Sequence, residues 1–165
     1  MSAFSSLSQV VDSWAHLYSR SKAVSSGVTF VHLGGVLLGG GFAIASDRMT
    51  LRIRSPEETG FVEHLKELHA IHRPVLVGLT LAFLSGLLMF AADVDVYLPA
   101  PLFWAKMATI AFLIMNGAGL RGTEARLQRG GLAPLPGWKR LRRSAWASIL
   151  LWFGALFFGT ALLAI

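Results

Sequence analysis

The sequence predicts an all-α fold: an integral membrane four-helix bundle, with both termini on the outer side and an amphipathic interfacial helix ahead of the first span. Three observations predict it. Hydrophobic residues make up 54% of the 165 residues and charged ones only 15%, against about 25% charged in soluble globular domains. The apolar residues gather into four continuous runs, Gly27 to Ser46, Pro74 to Ala92, Leu98 to Leu120 and Ala145 to Ile165, each near the roughly 20 residues that carry a helix across a hydrocarbon core. The bases fall in two of the three connections between those runs. Continuous runs without period-two alternation argue against a β-barrel. Residues 1–165 read as one membrane domain.

The first 26 residues lack a basic region ahead of an apolar core, so a cleavable signal peptide is not expected and the first span directs insertion. Phe4, Leu7, Val10, Val11, Trp14, Leu17 and Tyr18 recur at intervals of three and four, with serines, Asp12 and Arg20 between them. That period predicts an amphipathic helix lying along the outer membrane surface or covering the outer ends of the spans. His16 reads as a solvated side chain of this helix.

Net charge is +6 and the isoelectric point is near 10.5, so the placement of charge decides what it means. Arg48, Arg52, Arg54, Lys66 and Arg73 lie between spans one and two, and Arg121, Arg126, Arg129, Lys139, Arg140, Arg142 and Arg143 between spans three and four. The connection from Asp93 to Pro101 carries two aspartates and no base. The positive-inside rule makes both basic connections cytoplasmic. The basicity therefore reports topology and anionic headgroups, and no nucleic-acid partner is expected. Tyr97 with Trp104, and Trp138 with Trp146, read as aromatic belts at the two interfaces, and Trp152, mid-span, as packing.

The first cytoplasmic connection opens on Ser55, Pro56 and Glu58, a capping-box start with proline at the first helical position. Phe61, Leu65, Leu68 and Ile71 then repeat at helical spacing toward span two. His64, His69 and His72 fall here with Glu63 and Glu67. His69 and His72 share a helical face, and imidazole with carboxylate can hold zinc or iron. No recognised ligand spacing is present, and a solvated interfacial helix is the competing reading. The second basic connection reads as a short polar helix, then Gly130, Gly131 and two prolines, loop punctuation that argues against one continuous helix into span four. With no cysteine in the chain, disulfides, cysteine-ligated iron-sulfur clusters and thiol nucleophiles are excluded.

His32 and Lys106 are the ionisable residues set well inside the apolar runs, where charge is costly and marks a candidate site. By helix rise, His32 lies roughly 7 to 8 Å and Lys106 roughly 6 to 12 Å from the outer surface. Gly35 and Gly39 continue the His32 stripe, and Thr109 and Asn116 continue that of Lys106, which should face protein rather than lipid. Two readings of His32 stand. In one, Gly35 and Gly39 admit a neighbouring helix and His32 hydrogen-bonds across to it. In the other, the glycines leave a slot for a macrocycle and His32 is the axial metal ligand of haem b. His69 and His72 are about 20 Å or more away by helix rise, so they cannot be its second ligand. Lys106 either snorkels to the headgroups or meets an anion such as Asp93, Asp95, a haem propionate or a substrate carboxylate; if neutral, it could ligate iron or relay a proton.

The run from His32 to Asp47 and Arg48, the stretch Ser85, Gly86, Leu87, Leu88, Met89, and Asp93, Tyr97, Lys106 and Asn116 together resemble a broad group of small bacterial four-span membrane proteins. More distantly, over about residues 28 to 120, the chain resembles the copper-resistance protein D membrane domain and the HemJ-type protoporphyrinogen oxidase. The resemblance implies a multi-pass protein of the bacterial inner membrane with periplasmic termini. The HemJ likeness implies haem-dependent oxidation of protoporphyrinogen, with His32 at the haem and Lys106 as the third-span lysine; Gly39, Gly40 and Gly41 stand where that type carries span-one aromatics. For copper transport the resemblance implies histidine and methionine ligands, and Met89, Met107 and Met115 form no cluster. The chain thus reads either as a haem-b-binding redox or porphyrin-handling protein active in electron transfer, with His32, Gly35, Gly39 and Lys106 at the cofactor, or as a non-catalytic accessory subunit. In the second case the glycine face of span one is an interhelical contact, with partner membrane subunits or a homo-oligomer as partners. A small-solute or metal transporter is a third reading, disfavoured because no span is visibly broken at its midplane.

Overall fold

A computed structural model describes residues 2–53, 61–130 and 134–164, without the side chains of 2–8, 61–66, 69, 134 and 163. The described residues are helical and contain no strand: α1 (Ser2–Arg20), α2 (Lys22–Arg52), α3 (Phe61–Ala92), the single turn α4 (Val94–Tyr97), α5 (Pro101–Gln128) and α6 (Pro134–Ala161), followed by a 3-10 turn at Leu162–Ala164. Four helices are long and apolar enough to cross a membrane. They run for 28 to 32 residues, or about 42 to 48 Å at 1.5 Å per residue. Each therefore outruns its apolar segment. The capping-box residues Ser55, Pro56 and Glu58 lie outside the described residues.

The largest departure from expectation is at the second basic connection. α5 continues through Arg121 and Arg126 to Gln128, and α6 begins at Pro134, about three turns ahead of the apolar run. Charged residues are good helix formers, so hydropathy loses the helix where the backbone does not. Pro134 starts α6 rather than breaking it, since the first-turn amides have no intrahelical partner to lose. Gly130 takes the left-handed conformation, φ +66°, that commonly closes a helix.

Two compact units are present, 1–39 with 76–100, and 40–75 with 101–165. In the first, α2 runs antiparallel to α3: Gly35 meets Gly78 and Ala82, and His32 meets Gly86. α1 ends at a break at Ser21, whose amide still bonds to the Leu17 carbonyl at 3.0 Å. The Trp14 indole donates to the Leu88 carbonyl at 2.8 Å, which brings α1 against the C-terminal end of α3. His16 is exposed.

In the second unit α5 and α6 are antiparallel. Lys106 lies beside Gly159, Thr109 beside Gly154, and Asn116 bonds to Ser144. Trp138 and Leu141, both essentially buried, pack with Ile53, Leu120 and Leu127. Trp138 is thus a core residue and not the interfacial belt residue its position suggests, while Trp146 and Trp104 are exposed. Trp152 packs as expected, its ring over Gly40. Arg142 donates to the Ile53 carbonyl at 3.4 Å, just beyond the end of α2.

Candidate functional site

His32 is half-buried on α2, and its Nδ1 lies 2.9 Å from the Ala82 carbonyl oxygen and 3.2 Å from Ser85 Oγ. Ser85 also donates back to the carbonyls of its own helix, at Leu81 and Ala82. The serine is buried on α3. Its hydroxyl and the adjacent carbonyl together form the polar point that a histidine on the facing helix can reach. Gly86 lies under the imidazole, where a Cβ would sit 3.2 Å from Cε1.

Gly35 and Gly39 have a definite steric task. A Cβ on Gly35 would fall 2.6 Å from the Ala82 amide nitrogen and 2.7 Å from the Gly78 carbonyl oxygen, and one on Gly78 would fall on the Gly39 backbone. α2 and α3 therefore touch backbone to backbone, as small residues allow in membrane helices. The space beside this glycine pair is filled by α3. Gly34, one residue away, points elsewhere, and no atom lies within 4 Å of where its Cβ would be.

Lys106 belongs to the second unit, half-buried, with Nζ 3.6 Å from the position of a Gly159 Cβ. The polar stripe it heads faces α6. Thr109 is buried there and bonds to the Ala105 carbonyl at 2.8 Å. Asn116 donates to the Ser144 carbonyl at 2.9 Å and accepts from the Ser144 hydroxyl at 2.8 Å. This reciprocal pair ties the two helices together.

Two buried carboxylates lie outside the residues singled out from sequence. Glu124 is 2% exposed, with Oε2 2.8 Å from His72 Nε2 and Oε1 accepting from Gln128 at 3.2 Å. His72 is thus engaged with α5 rather than simply solvated. Asp47 is 3% exposed, and among the described residues Oδ2 has no hydrogen-bond partner; the carboxyl's polar contact is with Ser148. Both acids sit beyond or at the edge of the apolar runs, where hydropathy treats acid as cheap. The available signal was that Glu124 is the sole acid among the bases between spans three and four. Among the described residues no three histidine or acidic side chains converge as a metal site. The side chains of His64, His69 and Glu63 lie outside the described residues.

An all-helical chain with four helices of spanning length is compatible with a multi-pass integral membrane protein. No family model matches it, and no curated protein or solved structure does so either.

Proposed function

We propose that the chain is a multi-pass protein of the bacterial inner membrane, with periplasmic termini, that works as a non-catalytic subunit of a membrane assembly. The observation that carries this reading is the open space at Gly27 and Gly34, seven residues apart on one exposed face of α2, where a Cβ would meet nothing within 4 Å. Glycine facing lipid gives up apolar contact that any larger residue would make; a close-packed partner helix gives a reason for it. Gly35 serves the contact inside the chain and Gly34 the contact outside it. Placement of the bases supports the orientation.

Native mass spectrometry of detergent-extracted protein tests the subunit reading. Gly34→Leu is expected to abolish association with a second copy or a co-purifying subunit while the chain stays helical. A wild type that is monomeric and alone at every detergent concentration would sink it.

A haem b reading rests on His32 by itself. The bond between Nδ1 and the Ala82 carbonyl is of the kind that orients ligating imidazoles. A Soret band in protein from haem-replete cells, lost in His32→Ala, is its expected signature; colourless protein removes it.

A further inference from the structure

A groove of about 350 Å³ lies between α5 and α6. Arg140 and Arg143 line one end of it, Asn116 with Ser144 its middle, and Met115 with Ala147 the other end. The antiparallel pairing of the helices sets this order. From Met115, α5 runs out of the apolar segment toward Thr123; from Arg140, α6 runs into it toward Ala147. The groove is therefore cationic at the edge of the apolar layer and apolar within it.

Its charges are uncommitted. Both arginines are exposed, and among the described residues neither has an ion-pair partner. Glu124, the nearest acid in sequence, is held by His72 and Gln128. The floor is open too: Gly119 lines the groove, and a Cβ there would have no atom within 4 Å. Two guanidiniums one helical turn apart over hydroxyl and amide groups suit a phosphate, whose oxygens accept paired N–H bonds.

We propose that this groove binds the headgroup phosphate of an anionic phospholipid, with Arg140 and Arg143 on the phosphate and an acyl chain running along Met115 and Ala147. A zwitterionic lipid would bring a second cation against the arginines. A free phosphate would leave the apolar end without a ligand. The site is independent of the α2 face proposed for assembly.

The full chain is reconstituted in phosphatidylcholine vesicles containing phosphatidylglycerol, extracted, and examined by native mass spectrometry. One phosphatidylglycerol per chain is expected to be retained over phosphatidylcholine. Retention should fall about tenfold or more in the Arg140→Gln, Arg143→Gln double variant, as for loss of charge-assisted bonds. Gly119→Leu should block it equally by filling the floor, with unchanged helicity and melting temperature. Arg126→Gln with Arg129→Gln, which removes the same charge outside the groove, should retain the lipid. Equal retention of both lipids by wild type, or equal loss from both double variants, overturns the proposal. Displacement of the lipid by millimolar inorganic phosphate would assign the phosphate site to a soluble ligand and overturn the lipid.

Discussion

Nε2 of His72 lies 2.8 Å from Oε2 of Glu124, a contact that ties α3 to α5 through a carboxylate only 2% exposed. Gln128 occupies the other oxygen, so each carboxylate oxygen has a partner on a side chain.

Removing either partner of this pair breaks a contact to a carboxylate that is 2% exposed, at a cost of about 1–3 kcal/mol. His72→Leu and Glu124→Leu should each lower stability in detergent by that order. The double variant should lose less than the sum, because both single variants lose the same contact. Chemical unfolding followed by circular dichroism measures all three; strict additivity would show that the two residues are not coupled.

Asp47 should behave in the opposite way although it is as deeply buried. One of its oxygens is already without a partner, so truncation gives up little hydrogen bonding. Asp47→Ala is expected within about 1 kcal/mol of wild type, the loss of packing offset by release of the stranded oxygen. A drop as large as that of Glu124→Leu would mean that the carboxyl is fully engaged.

The glycines give a test with an internal control. At Gly35 a Cβ would press on the backbone of Gly78 and Ala82, whereas at Gly34 it would meet nothing. Overpacking of this kind costs about 1–3 kcal/mol. Gly35→Ala should lower the melting temperature and Gly34→Ala should not. Equal effects would mean that α2 and α3 do not meet along this face.

These adjacent glycines show where sequence legibility stops. The four apolar runs place the spans, because hydrocarbon depth is written directly in composition. Helix ends are not written there: α5 and α6 run through Arg121, Arg126 and Arg140 because charge does not break a helix. The polar stripe headed by Lys106 is legible as a face that should meet protein, and it meets α6 at Gly154 and Gly159. Which of Gly34 and Gly35 touches a neighbour is not legible, since it depends on the rotation of α2 against α3. His32 stands out by chemistry alone, but Ala82 and Ser85, which orient it, lie 50 and 53 residues away.

Trp138 is ambiguous from sequence for another reason: an indole near a span end suits a headgroup belt as well as a core. Its 2% exposure makes it core. Trp138→Ala should cost about 3–5 kcal/mol, as for other buried aromatics, while the exposed Trp146 should tolerate alanine with a far smaller loss. Paired thermal melts in one detergent make the comparison, and similar losses would return Trp138 to the interface.

Tyr97, at the end of α4 and outside the spanning helices, supplies a pH dependence. Burial, then the negative charge of Asp93, then Tyr18 raise its phenol above the usual 10.0. The folded protein thus keeps the proton at a pH where the unfolded chain has released it. The stabilising contribution is complete below pH 10 and is lost as pH rises from there through the folded value. The chain holds two tyrosines, so phenolate absorbance is simple to assign. Asp93→Asn should lower the Tyr97 midpoint by removing a like charge, and Tyr97→Phe should delete that transition and reduce the alkaline loss of stability. A Tyr97 transition at pH 10, unmoved by Asp93→Asn, would place the phenol in open solvent and undo the packing of α1 and α4 around it.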